Sequence, residues 1–580
     1  MFLRLLPAVM TRDDDFRVRP GRIRGASGSR IDTALRQVLI AVARAGGRPR
    51  GPRLGKGGGS SASTFGRGRA GVVRSLHAGT SRRRVVVKAR VARRSSGGLA
   101  AHIGYLQRDG VTRDGEAGRL FGAESDMIDA SAFAERSKDD RHHFRFIVSP
   151  EDAAELADLR AYARDLMVEV QRDLGAPLDW VAVDHWNTAH PHIHIVLRGR
   201  LDDGSDLVIS RDYISRGFRA RAEALAELEL GPPSPRERSA ALTRDAEAQG
   251  WTRLDRALER LADGEGLVDL IPARSLDDPV GVRALADRLR TLEGFGLAVP
   301  ASPGRWRLEK GIGERLRAIA RETETAARLA TAVEARGLVR APEQWATSAL
   351  SDVVVGRVLA RGGDDELRGT GFAVIDGLDG RVHHITLADA GAPDPRVDAI
   401  VRASPPSRGA HPMTVTLSDL DLTGQIVARG ATWLDRRALD PNPLPEAGGF
   451  AEEVAAAREA RIDHLTAEGL AERRGPGAAV RFASGLLEIL KAREMALVSE
   501  RVRNETGLVF RPTAEGDEVS GVYRKRLDLA SGRFAMIDDG AGFTLVPWRP
   551  PLERNLGRSV SGLAGARGEI QWRPPRTLGR

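Results

Sequence analysis

Three histidines near residue 190 have the spacing of a metal site. His192 and His194 lie two residues apart in an apolar run that predicts a β-strand, so both imidazoles leave the same face of a sheet. A predicted strand over residues 180–185 ends at His185 and runs back antiparallel after a turn-rich connection. If His185 lies opposite His192, the three rings converge. Three neutral imidazoles with no further ligand describe a metal centre with open positions, the catalytic rather than the structural arrangement.

The alternative is that these histidines decorate a strand and a turn without binding an ion, which is common for an isolated His-x-His pair. Two observations favour a site. Six of the twelve histidines of the chain fall between residues 142 and 194. His192 and His194 also alternate with Ile193 and Ile195, which turns both rings away from the face that the isoleucines pack.

A tyrosine upstream of the histidines is the candidate nucleophile. Tyr105 lies in a predicted helix over residues 99–107 and is one of four tyrosines in the chain. A phenol with a pKa of about 10 is mostly protonated at pH 7, so its attack on a phosphodiester needs the field of a cation or a base. The product is a covalent phosphotyrosine, which conserves the bond energy for rejoining. The alternative is that Tyr105 only packs against its neighbours. In that case Tyr213 is the preferred replacement nucleophile, followed by Tyr162.

Five further residues are candidates for supporting a metal ligand or contacting nucleic acid: Asp184, His190, His102, Asn187 and Arg198. Asp184 could orient a ligand histidine, or simply meet solvent at a strand end. His102 lies three positions before Tyr105, near the same helix face. It could relay a proton, or it could be an ordinary solvated side chain. Arg198 and the arginines that follow it could line a groove for a single strand, or form a solvated surface.

The elements that must position these residues alternate between strand and helix. Valine-rich residues 83–91 predict the first strand, and residues 141–148 the next after the Tyr105 helix. A long helix is predicted to start at Pro150 and end near residue 174, and another to cover residues 211–228. The order predicts a compact α+β domain with a central antiparallel sheet flanked by helices.

The residues around the three histidines resemble the relaxases, the mobilization nucleases of the HUH endonuclease superfamily, and within it the Vir/MobP-like group. The resemblance covers about residues 81–232. It rests on His185-Trp-Asn-Thr-Ala-His-Pro-His-Ile-His194, on Tyr105 in the run HIGYLQRDG, and on Phe144-Arg-Phe-Ile-Val-Ser-Pro150. It implies site- and strand-specific nicking of plasmid or integrative-element DNA at an origin of transfer, with the enzyme left on the 5′ phosphate.

The resemblance also implies roles and partners. Tyr105 is the nucleophile, and His185, His192 and His194 bind Mg²⁺ or Mn²⁺, although three nitrogens suit Mn²⁺, Zn²⁺ or Co²⁺ better than Mg²⁺. Some relatives carry acidic residues before the His-Pro-His, where this chain has Asn187, so a carboxylate from that turn is not expected. The implied partners are single-stranded and duplex origin DNA, accessory relaxosome proteins and the coupling protein of a type IV secretion system.

The C-terminal region carries short repeated patterns. Residues 283–297 predict a helix and residues 300–308 a hairpin, as in a winged helix, and residues 460–482 repeat this pattern. Each copy precedes a β-rich piece. A chain of 580 residues is too long to form a single hydrophobic core, so it should divide into several domains. We expect six segments: a disordered basic arm (1–80), the relaxase domain (81–232), a helical winged-helix-like domain (236–345), a small β-barrel-like domain (350–418), and a duplicate of these two (419–500 and 501–580).

Composition restricts the chemistry and the location. The absence of cysteine excludes disulfides, thiolate metal sites and a cysteine nucleophile, and fits a reducing compartment. No apolar run reaches the length of a membrane span, and no signal peptide is evident. Residues 1–100 hold 23 basic and four acidic residues, while the whole chain has a net charge of +10. We therefore expect a bacterial cytoplasmic protein without membrane insertion, translocated to a recipient cell with its DNA, whose basic arm favours a polyanionic partner.

Two other functions fit the same residues. One is an HUH replication initiator or transposase, which uses the same metal and tyrosine but usually places the tyrosine after the histidines. The other is a DNA-binding regulator in which the histidines are structural and the repeated winged helices bind DNA. Nicking of an oligonucleotide that depends on a divalent metal separates the enzymes from the regulator.

Overall fold

The computed structural model describes residues 82–573, with gaps at 94–97, 109, 187–189, 272–277, 348, 393, 408–410, 443, 445, 474–479 and 566–568. The arm predicted over residues 1–80 lies outside the described residues. The described chain mixes helices with several antiparallel sheets, so the predicted α+β class is confirmed. Among the described helices, none combines the length and the apolarity needed to cross a bilayer.

The N-terminal unit is built on a four-stranded antiparallel sheet in the order β1-β2-β4-β3. Both faces of the sheet are covered, because residues at alternate positions of β3 and β4 enter two different apolar clusters. Helices α3 and α4 pack on one face, and α1 and α2 on the other. The elements are β1 (Val85–Arg93), α1 (Gly98–Leu106), α2 (Ala130–Arg136), β2 (His142–Pro150), α3 (Leu159–Leu174), β3 (Trp180–His185), β4 (His192–Arg198), a π-helical turn (Tyr213–Gly217) and α4 (Phe218–Leu230).

The two histidine-bearing strands, predicted over residues 180–185 and 192–198, have these bounds in the structure. The prediction that a long helix starts at Pro150 is wrong: Pro150 ends β2, paired with Val85. The helix starts instead at Leu159, because the carboxylate of Asp158 accepts a hydrogen bond from the Arg160 backbone N–H and caps the first turn.

The remaining chain contains two successive runs of helices, each followed by a six-stranded sheet. The first run is α5 (Pro235–Glu247), α6 (Arg253–Leu261), β5 (Leu267–Asp269), α7 (Pro279–Gly294), β6 (Ala298–Ser302), β7 (Arg305–Leu308) and α8 (Ile312–Ala335). Its sheet is β8 (Trp345–Ala346), β9 (Val354–Gly363), β10 (Gly371–Gly377), β11 (Val382–Leu387), β12 (Ile400–Ser404) and β13 (Met413–Ser418).

The second run is shorter at its start. It is α9 (Leu422–Val427), α10 (Trp433–Ala438), α11 (Gly449–Ala467), β14 (Ala471–Arg473), β15 (Val480–Phe482) and α12 (Leu486–Thr506). Its sheet is β16 (Val509–Phe510), β17 (Glu518–Leu529), β18 (Gly532–Asp538), β19 (Gly542–Pro547), β20 (Ser559–Ala564) and β21 (Ile570–Trp572).

The two six-stranded sheets have the same topology. Their orders are β13-β12-β9-β10-β11-β8 and β21-β20-β17-β18-β19-β16. In each, the short first strand pairs parallel to the fourth, while the other pairs are antiparallel. Residues 371–376 (Gly-Phe-Ala-Val-Ile-Asp) and residues 532–538 (Gly-Arg-Phe-Ala-Met-Ile-Asp) are similar in sequence and lie on equivalent strands, β10 and β18.

Both helical runs contain the same buried polar cluster. In the second, Thr432 caps α10 through Asp435, and the guanidinium of Arg461 donates to both carboxylate oxygens of Asp435 at 2.9 and 3.0 Å. In the first, Asp255 and Arg288 form the same pair, with both side chains fully buried. Each arginine also donates to backbone carbonyls, so these buried charges are compensated by hydrogen bonds.

Removing the Thr432 cap is expected to destabilise the second helical run. The Thr432 hydroxyl donates to the Asp435 carboxylate and accepts from its backbone N–H, with Thr432 fully buried. Thr432→Ala should lower the free energy of unfolding by about 1–2 kcal/mol, seen as a lower transition temperature in calorimetry. Thr243→Ala, at an exposed position, should change it by less than about 0.5 kcal/mol. Equal effects of the two changes would contradict the prediction.

Candidate metal centre

The β3–β4 hairpin brings the three histidines together. His185, the last residue of β3, pairs directly with His192, the first residue of β4. His194 lies two residues along β4 and therefore on the same face. The ring centroids of His185 and His194 are 4.4 Å apart, those of His192 and His194 4.9 Å, and those of His185 and His192 5.4 Å. All three residues are buried.

Backbone carbonyls orient two of the rings. His185 Nε2 donates to the carbonyl of Leu106 at the end of α1 (2.9 Å). His192 Nδ1 donates to the carbonyl of His190 (3.0 Å). A carbonyl can only accept, so in each neutral ring the other nitrogen carries the lone pair. These are His185 Nδ1 and His192 Nε2, and fixing the tautomer in this way is how proteins prepare histidine ligands.

A fourth donor comes from far along the chain. Glu366, in the loop between β9 and β10, has Oε2 at 3.1 Å from Nε2 of both His192 and His194. Its Oε1 lies 3.8 Å from His185 Nδ1. One ligand atom from each of the four residues falls within 4.8 Å of all the others. This span is close to twice the ligand distance of about 2.0–2.2 Å found for zinc.

The protonation states favour a cation. Burial lowers the pKa of His194 to about 3, so this ring is neutral at pH 7. Burial of Glu366 acts to raise the pKa of its carboxyl group, but the contacts with the three histidine rings outweigh burial and hold that pKa far below its usual range. A neutral imidazole and an ionised carboxylate are the forms that bind metals.

One atom of the site indicates that an ion fits. In the described part of the chain, the buried Nδ1 of His185 has no hydrogen-bond partner. Leaving a buried lone pair unsatisfied costs free energy, and a divalent cation between the four donors would satisfy it. Three nitrogens and one carboxylate suit Mn²⁺, Zn²⁺ or Co²⁺ better than Mg²⁺.

Tyr105 lies beside this centre on α1, one residue before the Leu106 carbonyl that holds His185. Its ring packs in the apolar cluster with Ile103 and Leu106, and its buried hydroxyl has no hydrogen-bond partner among the described residues. Burial raises the pKa of Tyr105 to about 12, against the opposing charge of Arg108. The phenol is therefore protonated at neutral pH.

Two arginines that the sequence did not single out also face the centre. Arg108 stacks on the Tyr105 ring, with its Cζ 4.3 Å from the ring centroid, and its Nη2 donates to Glu366 Oε1 at 3.1 Å. Arg145 lies on β2 on the same sheet face as His194. Burial, helped by the charge of Arg90, lowers the pKa of Arg145 to about 10, so its guanidinium is charged at pH 7.

Two of the candidate residues lie away from the three imidazole rings. Asp184 points to the opposite face of β3 from His185, because neighbouring residues of a strand alternate. Its carboxylate accepts from Arg160 Nε (2.9 Å) and Trp186 Nε1 (2.8 Å), so it does not orient a ligand histidine. Arg198 lies at the far end of β4 from His192.

The side chain of Arg198 is bound by two carboxylates. It donates to both oxygens of Asp140 at 2.9 Å and to Asp179 at 3.1 Å. The bond to Asp140, helped by Asp179 and opposed by burial, raises the pKa of Arg198. In the structure Arg198 is thus an ion-pair partner of these two carboxylates. Of the arginines after it, Arg221 is likewise paired with Asp173, and Arg216 with Asp212.

The other candidates are placed as follows. His190 is exposed and supplies the carbonyl that orients His192. His102 is buried rather than solvated. Its Nδ1 has no hydrogen-bond partner within the described residues, and burial and the charge of Arg145 lower its pKa to about 2.

Asn187 lies outside the described residues. The alternative nucleophiles are both engaged: Tyr162 donates to the Ala222 carbonyl and Tyr213 to Asp173.

Comparison with known proteins yields a family. The model of a family described as a protein of unknown function (DUF3363) matches residues 285–414 and 407–580, which together span just over half of the chain. The chain belongs to the DUF3363 family. The matched region supplies Glu366, whereas the three histidines precede it, so the four-residue centre joins the family region to the N-terminal unit. No curated protein and no solved structure matched the chain.

Proposed function

We propose that this DUF3363 protein is a metal-dependent relaxase of the HUH superfamily that nicks DNA at an origin of transfer. The observation that carries the proposal is the convergence of His185, His192 and His194 on one point, beside the end of the helix that carries Tyr105. A three-histidine site with a phenol nearby suits transesterification of a phosphodiester. The position of Tyr105 upstream of the histidines favours a relaxase over a replication initiator.

The reaction exchanges one phosphodiester for another. The Tyr105 phenol oxygen attacks the scissile phosphorus and forms a tyrosyl ester with the 5′ phosphate, while the bond from phosphorus to the 3′ oxygen breaks. The phenol proton is lost to solvent or a base, and the 3′ oxygen leaves as a hydroxyl after taking up a proton. A divalent cation held by the three histidines would neutralise charge on the phosphoryl oxygens. Arg108, stacked on the Tyr105 ring, adds positive charge beside the phenol.

We also propose the partners and the setting that follow from this activity. The substrate is single-stranded DNA exposed within a duplex origin of transfer, and a type IV coupling protein and accessory relaxosome proteins bring the enzyme to it. The basic excess in residues 1–100 supports a nucleic-acid partner. The repeated modules after residue 235 are available for contacts with flanking duplex or with these proteins.

Removal of the metal tests the proposal. The DNA that flanks the gene is tiled as single-stranded oligonucleotides and incubated with the full-length protein and Mn²⁺. We expect one oligonucleotide to be cut at a single position and to leave a protein adduct on its 5′ phosphate, visible on a denaturing gel. EDTA should abolish cleavage, and added Mn²⁺ should restore it. If the protein binds these oligonucleotides but cuts none with Mn²⁺, Mg²⁺, Zn²⁺ or Co²⁺, a DNA-binding regulator is the better interpretation.

A further inference from the structure

The loop between β9 and β10 covers the reactive face of the N-terminal unit. Glu366 at its tip contacts all three histidines and Arg108. The next residue, Leu367, accepts a hydrogen bond from Arg145 Nη1 through its carbonyl (3.3 Å). Gly363, at the end of β9, lies so close to the Tyr105 hydroxyl that a β-carbon at this position would collide with Oη. Residues 363–370, which we call the tip, thus contact the histidines, both arginines and the Tyr105 hydroxyl, while Ala390 of the loop after β11 packs in the same apolar cluster as the Tyr105 ring.

The shape of the tip does not depend on these contacts. Asp364 N–H donates to the Thr370 carbonyl (2.8 Å), and the Asp365 carbonyl accepts from Gly369 (2.7 Å) and Thr370 (3.1 Å). The Asp365 carboxylate also accepts from the Arg368 backbone N–H (2.9 Å). The Arg328 guanidinium donates to Asp364 Oδ1 (2.7 Å) and the Ala390 N–H to the Gly369 carbonyl (2.8 Å), so the tip is also fixed to its own sheet unit and leaves the site together with it.

The sheet face beside the centre carries a row of positive charge that leads to it. Arg90 on the edge strand β1 pairs directly with Arg145 on β2, and Lys88 pairs with Ile147, which in turn pairs with His194. Lys88 and Arg90 are exposed. Two arginines directly opposite each other repel and weaken a sheet, and this cost is offset when a polyanion lies across them. We call Lys88, Arg90 and Arg145 the basic row.

From these contacts we infer that the tip occupies the place of the scissile phosphate, with the Glu366 carboxylate standing where a phosphoryl group binds, and that DNA crossing the basic row competes with it. The inference rests on the proposed nicking activity and adds its regulation. The two oxygens of the Glu366 carboxylate contact the histidine ligands and the Arg108 guanidinium, and a phosphate group can make the same contacts. A catalytic metal also needs an open position for substrate, and Glu366 fills it.

The buried tyrosine supports this assignment. With the tip in place the Tyr105 hydroxyl is closed off by Gly363 and has no hydrogen-bond partner within the described residues. A nucleophile cannot reach phosphorus in that arrangement, and the unsatisfied hydroxyl disfavours it. Withdrawal of the tip uncovers Tyr105, frees Arg108 from Glu366 and opens a ligand position in a single step. The enzyme is therefore held closed until a strand displaces the tip.

Substitution of Glu366 tests the inference in the full-length protein. The probe is a fluorescent dT20 oligonucleotide, which offers phosphates without an origin sequence, and Mn²⁺ binding is measured in parallel by calorimetry. Glu366→Gln and Glu366→Ala should each bind dT20 at least about 10-fold more tightly in the presence of Mn²⁺. Their affinity for Mn²⁺ should fall because one of the four donors is lost, but by less than about 10-fold because the three histidines remain. The matched control is Arg368→Ala, exposed on the same tip, which should leave both affinities unchanged.

A second pair of substitutions tests the basic row. Adding Lys88→Gln and Arg90→Gln to Glu366→Ala should remove most of the gain. In a plot of log affinity against log salt concentration, the slope should also become less steep by about 0.7 for each phosphate that the protein no longer neutralises. If Glu366→Ala weakens Mn²⁺ binding about 10-fold or more without tightening dT20 binding, Glu366 is a permanent ligand and the inference fails, while nicking still stands. Unchanged affinities for both ligands also overturn it. Loss of nicking itself would show in the wild-type cleavage assay, independently of these measurements.

Discussion

Tyr105→Phe is expected to abolish cleavage and adduct formation while leaving the protein folded and able to bind DNA. The phenol oxygen is the atom that bonds to phosphorus, so the cleavage rate should fall by more than about 1000-fold. The stability should not fall, because the buried hydroxyl has no hydrogen-bond partner among the described residues and its removal relieves an unsatisfied group. Cleavage of the origin oligonucleotide on a denaturing gel and calorimetric unfolding measure the two effects.

Tyr213→Phe is the matched control. The Tyr213 hydroxyl donates to Asp173 at 2.8 Å, so its loss should lower the free energy of unfolding by about 1 kcal/mol and leave cleavage unchanged. The two substitutions remove the same atom and are expected to give opposite results. A covalent adduct that persists in the Tyr105 variant would move the nucleophile elsewhere and remove the basis of the proposed reaction.

Local pattern was sufficient to predict the histidine hairpin. The alternation of His192 and His194 with isoleucines and the turn-rich connection after His185 determine both strands and their register, because a one-residue slip would bury the imidazoles in the apolar core. The same alternation could have excluded Asp184, since a residue adjacent to His185 in a strand must face the other side.

Glu366 could not be predicted in this way. It is separated from His192 by 174 positions, and a short acidic run between two strands is typical of an ordinary solvated loop. Glu366 reaches the histidines only because the loop between β9 and β10 packs against the N-terminal unit. The same holds for Arg108 and Arg145, whose positions depend on tertiary packing. Contacts of long sequence separation of this kind leave no periodic signal in a single sequence.

The repeated modules share a second sequence pattern besides the helix and hairpin described above. Residues 250–256 read Gly-Trp-Thr-Arg-Leu-Asp-Arg and residues 430–436 read Gly-Ala-Thr-Trp-Leu-Asp-Arg. Each contains the helix cap whose aspartate binds a buried arginine, Arg288 or Arg461. A Thr-x-x-Asp cap has a physical meaning, because its two side chains satisfy backbone N–H groups at the start of a helix. The cap predicts the start of the second helix in each run, α6 and α10.

His194→Ala is expected to remove tight metal binding, and it distinguishes a metal centre from a purely structural cluster of histidines. Its ring is the nearest to both of the others, and its Nε2 lies 3.1 Å from Glu366 Oε2. Losing one nitrogen of this set should weaken Mn²⁺ binding by more than about 100-fold, beyond what changes behind a ligand produce. The stabilisation that Mn²⁺ gives to the wild-type protein, about 2.7 kcal/mol at 100 times the Kd, should disappear with it. His411→Ala, at an exposed position outside the site, should leave both unchanged. Removing a buried imidazole also costs packing free energy, so the decisive measurement is the part of the stability that depends on Mn²⁺. If His194→Ala lowers the free energy of unfolding but Mn²⁺ still raises that free energy as in the wild type, the histidines pack the sheet rather than hold an ion.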